Sequence, residues 1–285
     1  MSRMRQGWAL TKRSWSVLRG NRELFKFPIV GGLLALMPVI VLLAPGLYLI
    51  DDGKTVVGGL LAAVGIYLAS FTATYFAVAL AATADATFHG REASFGTGMS
   101  AANERVSAIA GWAALSALVG TAFAALRQGG SIGEVIIGTL GAAAWGLITF
   151  LAVPVIALEG LGPIATLKRS ASLFKERWAG QVTGNVAIGG IVGLLGVLPA
   201  VLLIAGGVYL WVSDDGDSGL AAGAVIIAIG ALLLTVSMVL IQAMRGVFGV
   251  ALYRYASSGE TSSGFTAEEL ESAVHMKRGR GAASI

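Results

Sequence analysis

Two sets of cations carry the most specific chemistry in this 285-residue chain. Lys12, Arg13 and Arg19 belong to the stretch KRSWSVLRGNRE, and Lys168, Arg169 and Lys175 to its second copy, KRSASLFKERWA. Cations spread along a surface helix suit phosphate headgroups, each contributing about 1 kcal/mol beside an anionic leaflet. These residues are therefore the candidate contacts to anionic lipid headgroups.

Other chemistry is weakly written. With no Cys, the chain has no disulfide, thiol nucleophile or Cys-based metal site. His89 and His275 are its only histidines and lack ligand spacing. The turn DDGDSG, Asp214 to Gly219, resembles the opening of a calcium loop but lacks the closing Glu. HGRE, His89 to Glu92, reads as a turn holding an ion pair, and FGTG, Phe95 to Gly98, lacks the Lys of a phosphate-binding loop. No nucleophile elbow, HExxH or dinucleotide fingerprint is present. The expectation is a protein with no catalytic residue, no metal and no cofactor. Thr72, Thr74, Tyr75, Thr121, Thr149, Ser237 and Gln242 lie inside apolar runs. They read as interhelical hydrogen-bonders, with a solute site as the alternative.

The elements that must position these groups are membrane spans. Hydrophobic residues make up 56% of the chain and charged ones 13%, and the mean hydropathy is +0.79; a soluble domain carries about 25% charge. Six apolar runs free of Asp, Glu, Lys and Arg succeed one another: 27–50, 56–80, 106–126, 135–158, 186–211 and 220–243. Each approaches or exceeds the roughly 20 residues needed to cross about 30 Å of hydrocarbon. Of 20 Lys and Arg, all but Lys54 and Arg127 fall on one side of these spans. The positive-inside rule then places both termini in the cytoplasm, with the chain in a plasma membrane. Basic charge located in this way calls for no nucleic-acid partner. The first run lacks a signal-peptidase site and reads as a retained helix.

Both cationic stretches have an apolar stripe at helical spacing. In the first it is Met4, Trp8, Thr11, Trp15, Leu18 and Phe25; in the second, opened by Pro163, it is Ile164, Leu167, Ala171, Phe174 and Trp178. Two amphipathic helices lying in the headgroup layer are expected. The apolar hairpin after each stretch is also written twice. Gly31–Gly32 recur as Gly189–Gly190, YLIDDG as YLWVSDDG, GGLLAAVG as AGAVIIAIG, and FAVAL as FGVAL. The fold expected is thus all-α and integral to the membrane, with six spans and two parallel internal repeats. One membrane domain covers 1–256, divided into a first repeat of about 1–105, an unmatched hairpin 106–158 and a second repeat of about 159–256. Pro38, Pro154 and Pro199 should kink their spans. In the cytoplasmic tail, 257–285, a flexible link precedes a short helix over 267–276, capped by Thr266 and Glu269 and stapled by Phe265 on Leu270.

The opening RMRQGWALTKRSWSVLRGNRELFKFPIVGG, Arg3 to Gly32, resembles an uncharacterised family of six-span membrane proteins of actinobacteria and archaea. More distantly, the KRSxS helices and spans resemble the membrane domain of bacterial glycerophosphodiester phosphodiesterases. The barrel that performs hydrolysis there has no counterpart in this sequence. Both likenesses imply an accessory, lipid-associated role in the plasma (inner) membrane of a bacterial or archaeal cell. The function expected is a non-catalytic module that organises anionic inner-leaflet lipids or assembles with itself or a protein partner. The alternative is a transporter or channel for neutral or lipidic solutes along the pseudo-twofold axis.

Overall fold

A computed structural model describes residues 14–128, 132–178, 196–213, 217–262, 265 and 270. Every regular element among them is helical. A short α1 (14–20) leads through Asn21 into α2 (Arg22–Asp51), and a tight turn at Gly53 returns the chain as α3 (Thr55–Phe88). Then come α4 (Phe95–Glu104), α5 (Val106–Gln128), α6 (Ile132–Ile148), α7 (Ala152–Glu159), α8 (Pro163–Trp178), α9 (Leu198–Ser213) and α10 (Asp217–Ser258).

Among the described residues α2, α3, α5 and α10 are long and apolar enough to cross a membrane, while α6 and α9 are shorter apolar helices. The continuous run expected over 135–158 is broken at residues 149–151, where a turn separates α6 from α7. Pro154 thus lies in the first turn of α7, where a missing N–H interrupts no helical bond. At Pro38 the expected irregularity takes the form of a π turn, Val39–Leu43, directly after the proline. Of the run 186–211, residues 186–195 lie outside those described, as does most of the tail helix expected over 267–276.

Two hairpins pack through glycine in the same way. A Cβ on Gly46 would stand 2.6 Å from the Ala62 nitrogen and 2.8 Å from the Gly58 oxygen; one on Gly207 would stand 2.9 Å from both the Ile227 nitrogen and the Gly223 oxygen. In return, a Cβ on Gly58 would meet the Gly46 oxygen at 2.5 Å and the Ile50 nitrogen at 2.7 Å. For Gly223 the same contacts are the Gly207 oxygen at 2.7 Å and the Trp211 nitrogen at 3.0 Å. Backbones so close leave no room for a side chain, which is why small residues mark this seam.

The core lies at one end of the molecule. Phe27 of α2, Val78 to Ala84 of α3, Ile109 of α5, Leu151 to Ile156 around α7 and Val247 to Leu252 of α10 are buried together. Toward the other end Leu33, Ile40, Tyr48, Leu60, Leu202 and Leu232 are exposed, the surface that acyl chains would cover. Phe265 returns to the core, 6.3 Å from Phe88 and 6.1 Å from Phe248 ring to ring. Phe265, expected as a staple for Leu270, is thus also a buried anchor on the core beyond the link that begins at 257.

Candidate functional site

Length decides where the charges fall. The 34 residues of α3 and 42 of α10 extend about 51 Å and about 63 Å at 1.5 Å per residue, well beyond the roughly 30 Å of hydrocarbon. Their surplus turns run side by side at the core end, and Asp85, the one buried charged residue among those described, lies there.

Asp85 on α3 is 2% exposed. Arg254 on α10 donates Nε–H to its Oδ1 at 2.7 Å and Nη2–H to its Oδ2 at 2.8 Å, a two-pronged grip matched to carboxylate geometry. Arg91, beyond the Gly90 turn, adds Nη2–H to Oδ2 at 2.6 Å. His89 lies beside this pair, its Nδ1 2.8 Å from the Asp85 carbonyl oxygen and its Nε2 3.8 Å from Glu260 Oε1. One residue before Arg254, the Tyr253 hydroxyl donates to Glu159 Oε1 at 2.7 Å; that oxygen also accepts Arg169 Nε–H at 2.9 Å. The hydrogen bond to Glu159 holds the Arg169 guanidinium above its ordinary pKa, so its charge is permanent. Gly160, in the left-handed conformation, ends α7 immediately after Glu159 and turns the chain toward α8.

The first surface helix is joined to the same end. Asn21 donates Nδ2–H to the Ala93 carbonyl at 2.9 Å and to Thr87 Oγ1 at 3.2 Å, while its Oδ1 caps Glu23 N–H. Glu23 in turn accepts Phe95 N–H at 3.1 Å, where Ser94 and Thr97 form a reciprocal cap on α4. Below Asp85 a cavity of about 550 Å³ opens, lined by Thr83, Arg91, Glu92, Thr97, Tyr253 and Arg254 among others.

Chemically this is a clasp. Both Asp85 oxygens accept guanidinium hydrogens, and Glu159 Oε1 accepts one hydrogen bond from Tyr253 and one from Arg169, so the two carboxylates tie α3, α7, α8 and α10 together. No group of three His, Asp or Glu among the described residues could hold a metal ion.

The sequence-derived contacts divide. Lys12 and Arg13 lie outside the described residues. Arg19 is exposed with its guanidinium carbon 5.5 Å from the centre of the Trp15 ring. Lys168 and Lys175 are not buried and have no ion pair among the described residues, whereas Arg169 is bound to Glu159. On α8 the buried positions are Thr166, Ser170 and Leu173, with the Ser170 hydroxyl donating to the Ile148 carbonyl at 2.5 Å; Ile164 is exposed. Of the polar residues singled out within apolar runs, Thr72, Thr149 and Ser237 donate to the carbonyl four residues back in their own helical segment, at 2.9, 2.7 and 2.7 Å. Tyr75 does cross between helices, to Asn103 Oδ1 at 2.6 Å. The pairing of Asp85 with Arg254 and of Glu159 with Tyr253 was not indicated by sequence, because each residue lies near the end of a helix and meets its partner only through the fold.

A family described as one of unknown function, DUF6159, matches residues 56–265. No curated protein and no solved structure matches the chain.

Proposed function

The chain belongs to the DUF6159 family, and we propose that it is a non-catalytic, multi-span membrane module that gathers anionic lipid at the inner leaflet of the plasma membrane. The observation that carries this reading is the division of cations at the clasp end. Arg91, Arg169 and Arg254 are neutralised by buried or half-buried carboxylates, while Lys168 and Lys175 remain accessible and unpaired among the described residues. Accessible cations on a helix docked beside the spans are placed for headgroups.

In this reading the chain crosses the membrane six times: by α2, α3, α5, the broken pair α6–α7, the segment ending in α9, and α10. The hairpins α2–α3 and α9–α10 are copies of one ancestral unit, related by an axis along the membrane normal; the matching glycine contacts support that relationship. Both termini then lie in the cytoplasm, and the two surface helices, amphipathic and interfacial, flank the clasp. Assembly with a second copy is compatible with the exposed apolar faces.

Native mass spectrometry of the detergent-extracted protein tests the proposal and reports stoichiometry together with retained lipid. Arg19, Lys168 and Lys175 changed together to Gln should lower co-purified anionic lipid at least severalfold. Unchanged lipid would remove the headgroup role. A route for neutral or lipidic solutes has one observation in its favour, the exposed Gln242 lining an apolar crevice. Of its other candidate residues, Thr72, Tyr75, Thr149 and Ser237 are already hydrogen-bonded within the protein.

A further inference from the structure

A crevice of about 260 Å³ opens between α2, α3, α7 and α10. Its walls are made of small side chains, Gly32 and Ala35 on α2, Ala77 on α3 and Gly246 on α10, over a floor that includes Phe76. Two polar groups join this lining, Gln242 and Arg245. Arg245 is exposed and has no ion pair or hydrogen bond among the described residues. It precedes Arg254 by nine positions, which places it about 14 Å along the α10 axis from the clasp. That is the level at which the charged end of the molecule gives way to the apolar span.

From this geometry we infer that the crevice holds one anionic phospholipid of the inner leaflet, with its phosphate on Arg245 and Gln242 and one acyl chain lying in the channel left by Gly32, Ala35, Ala77 and Gly246. An unpaired cation at the edge of the hydrocarbon needs a counter-charge, and an anionic headgroup supplies it. The volume lies just under the roughly 300–1,000 Å³ typical of sites that enclose a whole drug-sized ligand, as suits one chain segment with the headgroup at the mouth. The inference rests on the reading of α2, α3 and α10 as spans with the clasp end at the inner leaflet. It adds a defined site to the diffuse attraction of the surface helices.

Gly32 provides the sharpest probe, since it lines the crevice and a Cβ there would meet nothing within 4 Å, so Gly32→Leu adds a bulky side chain at the crevice wall without a backbone clash at its first carbon. The experiment reconstitutes the full chain in phosphatidylcholine nanodiscs containing phosphatidylglycerol and counts phosphatidylglycerol retained per protein on collisional release. Arg245→Gln, Gly32→Leu and Lys168→Gln/Lys175→Gln are compared after each is shown to be monodisperse. The expected result is one tightly retained phosphatidylglycerol in the wild type, kept in the double-lysine variant while that variant sheds the further, loosely held lipid, and falling at least tenfold in Arg245→Gln and in Gly32→Leu. Wild-type retention in either of those two variants overturns the crevice assignment, as does a wild type that retains none. If the double-lysine variant alone loses lipid, the surface-helix reading stands while this one falls. Equal retention in all three variants ends both.

Discussion

Asp85 and Arg254 are 169 positions apart in the chain and share two hydrogen bonds of 2.7 and 2.8 Å at the joined ends of α3 and α10. This pair joins two hairpins, because α3 packs along α2 and α10 along α9. With Asp85 2% exposed, removing Arg254 leaves a buried carboxylate with Arg91 on Oδ2 and only the His89 ring, 3.6 Å away, near Oδ1. Arg254→Ala should therefore destabilise the protein by about 3 kcal/mol, the lower end of the range for breaking a buried pair. Replacing both partners, Asp85→Leu with Arg254→Met, should cost less than either single change. Reversible unfolding in sodium dodecyl sulfate, followed by tryptophan fluorescence, measures all three.

The glycine seams give a paired prediction. Gly58→Ala and Gly223→Ala each push a Cβ onto the facing backbone, so each should lose roughly 1–3 kcal/mol through overpacking. Gly59→Ala, with nothing within 4 Å of its added carbon, should be neutral or gain up to about 1 kcal/mol from helix propensity. The same unfolding assay separates the two outcomes.

Tyr253→Phe removes a hydroxyl bonded to the Glu159 carboxylate at 2.7 Å. The expected loss is about 1.5–3 kcal/mol, as for hydrogen bonds to charged groups. Because Arg169 still binds Glu159, α8 should remain docked, so lipid retention should be unchanged while stability falls.

Phe265 is buried between Phe88 and Phe248. Phe265→Ala should cost roughly 3–5 kcal/mol if the site does not collapse. It should also speed protease cleavage near residues 257–262, which limited proteolysis followed by mass measurement reports.

Much of the helical framework was legible because apolar runs without charge have few physical alternatives to a membrane helix. Gly58 and Gly223, one at the seam of each hairpin, were also visible, in the repeated strings GGLLAAVG and AGAVIIAIG. Asp85 was not legible: it comes after the apolar run in ATADATF and reads as part of a polar connection, yet α3 continues to Phe88 and carries it into the core. Arg169 looked like any other cation of its stretch. Its partner Glu159 ends α7, and only the left-handed turn at Gly160 brings the two together. Phe265 read as a local staple for Leu270; its contacts to Phe88 and Phe248 depend on the tail folding back, which no short-range pattern encodes.

The clasp end, with its accessible lysines, is proposed to face the anionic inner leaflet and the cytoplasm, and every functional reading above depends on that orientation. Since the chain has no Cys, single thiols at Ser16, Lys175 and Asp52 can be probed with a membrane-impermeant maleimide. The account predicts labelling of Asp52→Cys in intact cells, with Ser16→Cys and Lys175→Cys labelled only after lysis. Labelling of Ser16→Cys or Lys175→Cys from outside intact cells would contradict it.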